Sequence, residues 1–231
     1  MKYLKTHFQW IRWAVHIGAL LPLVVLIVDA LNNNLTFNPI QAATQRTGDT
    51  AIILLGLSLA CSPISTYLKW KDAGRLRRTL GLYTFIYTAV HLWLFVGADY
   101  GYQFNYIVPE FLQKYYLWVG LPAFIILLAL AATSFKWAMR WLGKRWKRLH
   151  RFIYLGAILA VLHLALVIKG DALRLSGDAW KPLLAGTLIG TLLILRVPRL
   201  RRALLSSRHK PVAPTAVPAV SAPVESTLAK N

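Results

Sequence analysis

The chain has 231 residues, enough for one sizeable domain, and 57% of them are hydrophobic while only 15% are charged. With a mean hydropathy of +0.49 and several apolar runs of about 20 residues, this balance belongs to a helical membrane protein and excludes an ordinary water-soluble domain. The net charge of +19 does not make it a nucleic-acid binder, because the cations lie in short blocks between apolar runs and not on one soluble face.

In chain order, the N-terminus begins basic and turns apolar, as a signal peptide would. Its apolar stretch continues to about Ala30 without a small-x-small cleavage site, so a retained first helix is expected over 8–31, ending at Asn32-Asn33-Asn34. After a loop to Gly48, a second helix is expected over 50–68, a third over 78–98 and a fourth over 115–135, with a tyrosine-rich loop at 99–114. A basic connector, 136–148, leads into a fifth helix at 149–168. A polar loop carrying Asp171 and Asp178 precedes a sixth at 180–195.

The expectation is thus an all-α integral membrane protein, a six-transmembrane-helix bundle over 1–205, with a disordered Pro/Ala/Ser-rich tail at 206–231. Charge fixes its orientation. With both termini inside, the outer loops hold only Arg46, Lys114, Lys169, Arg174 and Lys181, leaving 22 of the 27 Lys and Arg residues on the inner side. The positive-inside rule selects that N-in, C-in arrangement. Trp10, Trp13, Trp70, Trp118, Trp137, Trp141, Trp146 and Trp180 fall near helix ends, as interfacial anchors do. No internal repeat stands out.

Cys61, the only cysteine, rules out an intramolecular disulfide, a C-x-x-C redox centre, a four-cysteine iron–sulfur site and covalent c-type haem attachment. Its place in an apolar run makes packing its expected role. Neither a G-x-G-x-x-G after a strand nor a P-loop is present, so any electrons this chain carries must be supplied by another protein or a diffusible donor.

The histidines carry the chemistry. Ionisable side chains at membrane depth are costly and mark function, and imidazole is a common axial ligand of haem iron. His91 lies about 13 residues into the third helix and His163 about 14 into the fifth, roughly 20 Å from the inner side in each case. A lone membrane histidine is ordinarily bonded to a backbone carbonyl. Two at matching depth on separate helices are what a six-coordinate haem requires of a bundle.

His150, at the inner end of the fifth helix among Lys147, Arg148 and Arg151, reads either as an interfacial histidine or as a ligand of a second, inner haem or other redox group. The position below His91 that would supply its partner holds Arg77. That side chain shares a face with His91, fourteen residues being nearly four turns, and could receive a haem propionate or a flavin phosphate. His16, about 10 Å inside the first helix, is either a packed, hydrogen-bonded residue or the in-chain partner of His150. His150 and His163 themselves lie about 140° apart around an ideal helix. Facing one interior therefore requires curvature, different rotamers or a local irregularity.

The run LGKRWKRLHRFIY from Leu142 to Tyr154 with His163 beyond it, RLRRTLGL from Arg75 with His91, and HIGALLP from His16 together resemble the MsrQ family. These are the haem-binding membrane subunits of periplasmic protein-methionine-sulfoxide reductase systems, within the ferric-reductase-like transmembrane group. The resemblance spans about 10–202. It implies a multi-pass b-type cytochrome of the bacterial inner membrane, with one or two haems b held by His91 and His163 and by His150. It also implies FMN, for which the chain has no recognisable motif. Electrons would come from a cytoplasmic flavin reductase or from quinone, and would leave to a periplasmic molybdopterin catalytic subunit (MsrP). Leu164 stands where the family suggests an aromatic residue, which bears on haem packing more than ligation. The rival expectations are a stand-alone ferric or quinone reductase-type cytochrome b, and a transporter or scaffold without a cofactor.

Overall fold

A computed structural model describes residues 2–168, 178 and 180–198, and side chains from Phe8 onward. The expected tail at 206–231 and most of the loop before the sixth helix lie outside the described residues. Everything described is helix or short connection: α1 (Lys2–Leu31), α2 (Pro39–Tyr67), α3 (Lys71–Trp93), α4 (Phe104–Gln113), α5 (Tyr115–Ala132), α6 (Lys136–Leu142), α7 (Lys144–Leu149), α8 (Ile153–Val167) and α9 (Trp180–Ile194). A π-helical turn, Leu94–Asp99, continues α3, and a 3-10 turn, His150–Phe152, joins α7 to α8.

Five stretches are long and apolar enough to cross a bilayer: Phe8–Leu31, Pro39–Tyr67, Lys71–Asp99, Tyr115–Ala132 and Lys144–Val167. Helix α9 is apolar as well, but its 15 residues reach only about 22 Å, short of a hydrocarbon core of about 30 Å.

Several helices begin earlier than hydropathy suggests. α2 starts at Pro39, not near residue 50. Asn38 caps it by accepting a hydrogen bond from the Gln41 amide at 3.1 Å, and Pro39 suits the first helical position. α3 starts at Lys71, not near 78, because Lys71 to Arg78 is polar yet free of helix breakers apart from Gly74. The loop expected at 99–114 contains α4, and the basic connector folds into α6 and α7.

α2 is the central element: 44% of its most apolar window is buried, against 17% or less in the other four long helices. One face contributes Ala51, Leu54 and Cys61 to a cluster with Ala19 of α1 and Leu76, Leu80 and Tyr87 of α3. Another contributes Leu55 and Leu59 to a cluster with Ala157 of α8 and Ile189 and Leu192 of α9. The Tyr87 hydroxyl donates to the Ala19 carbonyl at 2.7 Å, tying α1 to α3. α5 packs along α8 and touches α3, and α9 touches α8 and α2, which closes a ring of α2, α3, α5, α8 and α9. The outward faces stay apolar, with Ile17, Leu21, Val24, Ile125, Ile158 and Leu188 exposed. A surface of that kind suits lipid, not water.

Candidate metal centre

His91 is the last residue but two of α3, and His163 lies in the last turns of α8. The fold brings their rings together edge-on. Their ring centroids are 6.2 Å apart with planes at 87°. Nδ1 of His91 lies 2.8 Å from the carbonyl oxygen of Thr44 on α2, and Nδ1 of His163 lies 2.8 Å from that of Tyr116 on α5. A carbonyl only accepts, so each Nδ1 carries the proton and donates. Each Nε2 is then left with a free lone pair, and neither has a hydrogen bond among the described residues.

That is the tautomer a metal needs, with the outer nitrogen anchored and the inner one open. The spacing fits too. A metal–imidazole nitrogen bond is about 2.0–2.1 Å and the ring centre lies roughly 1 Å further on, so rings on opposite sides of one metal have centroids about 6 Å apart. No group of three or more His, Cys, Asp or Glu side chains gathers to hold a metal among the described residues. The chain therefore offers two opposed ligands, which suits a metal whose remaining positions are filled by a macrocycle.

Glycine makes the close approach feasible in both halves. A β-carbon at Gly48 would stand 3.1 Å from Cε1 and Nδ1 of His91, and one at Gly120 would stand 2.7 Å from Nδ1 of His163. The π-helical turn that follows His91 is the kind of local irregularity often found beside functional groups. The Trp93 indole donates to the Tyr102 hydroxyl at 2.8 Å across that turn.

The inner level is different. His150 sits in the 3-10 turn, its ring packed on Trp146 with centroids 4.1 Å apart and its Nε2 3.3 Å from the Thr133 hydroxyl. At about 120° per residue instead of 100°, the three residues of that turn bring His150 roughly 60° closer to the azimuth of His163 than an ideal helix would. His16 is not brought to His150. It bonds the Tyr83 hydroxyl on α3 through Nδ1 at 2.8 Å and meets that ring edge-on.

Arg77 reaches Ser62 at 3.5 Å, and its carbonyl accepts from Ser58. Arg196 is a residue the sequence alone did not single out. Its guanidinium donates to the Leu59 carbonyl and approaches the Tyr154 hydroxyl at 3.5 Å, while its Nε is buried without a hydrogen-bond partner. Neither arginine is paired with a carboxylate among the described residues. The only sequence cue to Arg196 was its place just beyond an apolar helix, where a basic residue ordinarily serves as an orientation signal.

Residues 47–169, which include both opposed histidines, match the family described as ferric reductase like transmembrane component. A protein of Rhodospirillum rubrum named protein-methionine-sulfoxide reductase heme-binding subunit MsrQ is 38% identical over 193 residues, covering 83% of this chain and 89% of its own length. The chain belongs to the MsrQ family. Proteins of the same name from Deinococcus radiodurans and Herminiimonas arsenicoxydans are 39% and 35% identical, over 71% and 81% of this chain and 81% and 84% of theirs. The match to these relatives thus covers between 71% and 83% of the chain, more than the segment matched by the family as a whole.

Proposed function

We propose that this MsrQ-family chain is the haem-binding electron carrier of a methionine-sulfoxide reductase system, with His91 and His163 as the axial ligands of its outer haem b. The observation that carries this reading is the opposed pair of imidazoles, 6.2 Å apart, each anchored at Nδ1 by a backbone carbonyl. The names of its relatives, heme-binding subunits of the reductase, support it. Bound haem supplies one-electron redox chemistry.

The chain's own residues provide fixed geometry and a dry surrounding. The Thr44 and Tyr116 carbonyls hold the Nδ1 protons, so each Nε2 stays a neutral donor. The apolar helices keep water away, so little rearrangement accompanies a change of charge. At the inner level, His150 is the proposed ligand of a second haem. Arg77 and Arg196 are suited to an anionic edge, a haem propionate or the phosphate of FMN; the buried, unpartnered Nε of Arg196 favours such a counter-ion. His16, held by Tyr83, takes a structural role.

The bundle has six spans in this reading, α9 with its flanking residues forming the sixth, and both termini lie on the cytoplasmic side of a bacterial inner membrane. Residues 1–205 form the membrane domain and 206–231 a tail. At the proposed outer end Arg46 is paired with Asp29, Lys114 with Glu110, and Lys181 with Asp178, and at the proposed inner end Arg75 is paired with Asp72. Electrons enter from a cytoplasmic flavin reductase or quinone and leave to a periplasmic molybdopterin subunit (MsrP), where the sulfoxide is reduced.

Reduced-minus-oxidised optical spectra test the assignment. The wild type is expected to give a low-spin b-type spectrum, with most of it lost in both His91→Ala and His163→Ala. Normal haem content in the two variants defeats the ligand assignment, and a colourless wild type favours a scaffold or transporter.

A further inference from the structure

The interval that links Thr44, Gly48 and His91 recurs unchanged in Tyr116, Gly120 and His163, each 72 positions later. Both carbonyl-to-histidine bonds span 47 residues. The register extends into the packing: buried Ala51, Leu55 and Leu59 of α2 correspond at the same interval to Ala123, Leu127 and Ala131 of α5, also buried. The hairpins α2–α3 and α5–α8 are therefore two copies of one device. Each copy contributes one imidazole, one accepting carbonyl and, a helical turn after that carbonyl, one glycine.

We propose that Gly48 and Gly120 are positioning residues of the metal centre, whose missing side chains let the Nδ1–Cε1 edge of each imidazole close on the helix that accepts its Nδ1–H. This rests on the reading that His91 and His163 hold a haem. A histidine ring can turn about its bond to the chain, and the turn decides where Nε2 points. The carbonyl fixes Nδ1 and the bare glycine backbone admits the Nδ1–Cε1 edge. An added β-carbon at Gly120 would meet Nδ1 at 2.7 Å and Cε1 at 2.8 Å, well inside the ~3.5–4.0 Å optimum for carbon contacts. The ring must then swing away and lose the carbonyl or the alignment of Nε2. At Gly48 the contact is 3.1 Å, so His91 needs only a small displacement. On helix propensity alone, glycine to alanine favours a helix. A loss on substitution therefore opposes the intrinsic trend.

The experiment compares full-length wild type with Gly120→Ala, Gly48→Ala and the control Gly190→Ala, whose β-carbon would meet nothing within 4 Å. The readouts are haem retained per chain and the largest g value of the ferric low-spin signal. Gly120→Ala is expected to shift that g value and weaken haem retention by about tenfold, the lower end of what loss of an orienting partner costs. Gly48→Ala shifts it less, and Gly190→Ala leaves both unchanged. A purely structural role would lower yield without moving the g value. If Gly120→Ala does not assemble, the milder Gly48→Ala decides alone. Haem signals in the glycine variants identical to wild type overturn the proposal while leaving the ligand assignment standing. A wild type without haem overturns both.

Discussion

The rings of His91 and His163 meet edge-on with planes at 87°, close to perpendicular. Perpendicular axial imidazoles donate into different iron orbitals and leave them nearly equal in energy, whereas parallel rings split them. The ferric wild type is therefore expected to show a highly anisotropic low-spin signal dominated by one large g value in frozen-solution electron paramagnetic resonance. A nearly parallel-ring spectrum would mean that the rings turn on loading.

The inner level can be separated from the outer. His150 shares no carbonyl anchor with His163 and rests on Trp146 and Thr133. His150→Ala is expected to remove one component of the reduced b-type difference spectrum, leaving the component that disappears in His91→Ala. If the whole spectrum survives, His150 is an interfacial histidine and nothing more.

Ala157 is fully buried where α8 meets α2 and α9, and small residues at such crossings set how closely helices approach. Ala157→Leu forces extra volume between Leu55, Leu59 and Ile189. A destabilisation of about 1–3 kcal/mol is expected from overpacking, read as a lower thermal midpoint of the detergent-solubilised protein. An unchanged midpoint would show that the three helices do not meet there.

Orientation is open to cysteine labelling because the native Cys61 is buried. Asn34, between α1 and α2, and Lys144, at the start of α7, are both exposed. With an impermeant maleimide on intact spheroplasts, Asn34→Cys is expected to react at once and Lys144→Cys only after permeabilisation. The opposite order would invert the proposed topology.

Much of the fold was legible in the chain because apolar runs and charge blocks are local properties. The start of α2 could have been read as well: Asn38-Pro39 is a cap followed by a residue suited to the first turn, but the polar run after it hid the signal from a hydropathy reading. α4 escaped because a short amphipathic helix between spans has the composition of a loop. The repeat escaped for a deeper reason. Thr44 and Tyr116 share no side-chain chemistry; what they have in common is a carbonyl oxygen, which every residue possesses.

The sequence by itself determined that the chain spans a membrane, because apolar runs are local; the side its cations favour and the depth of His91 and His163 it gives as expectations, from charge and from counting residues along a helix. Only the tertiary structure decided that those two rings oppose each other, that carbonyls on α2 and α5 hold their Nδ1 protons, and that His16 turns to Tyr83. The azimuth of a side chain depends on how helices pack and on irregular turns such as the one at His150–Phe152. Those are set by contacts between residues far apart in the chain.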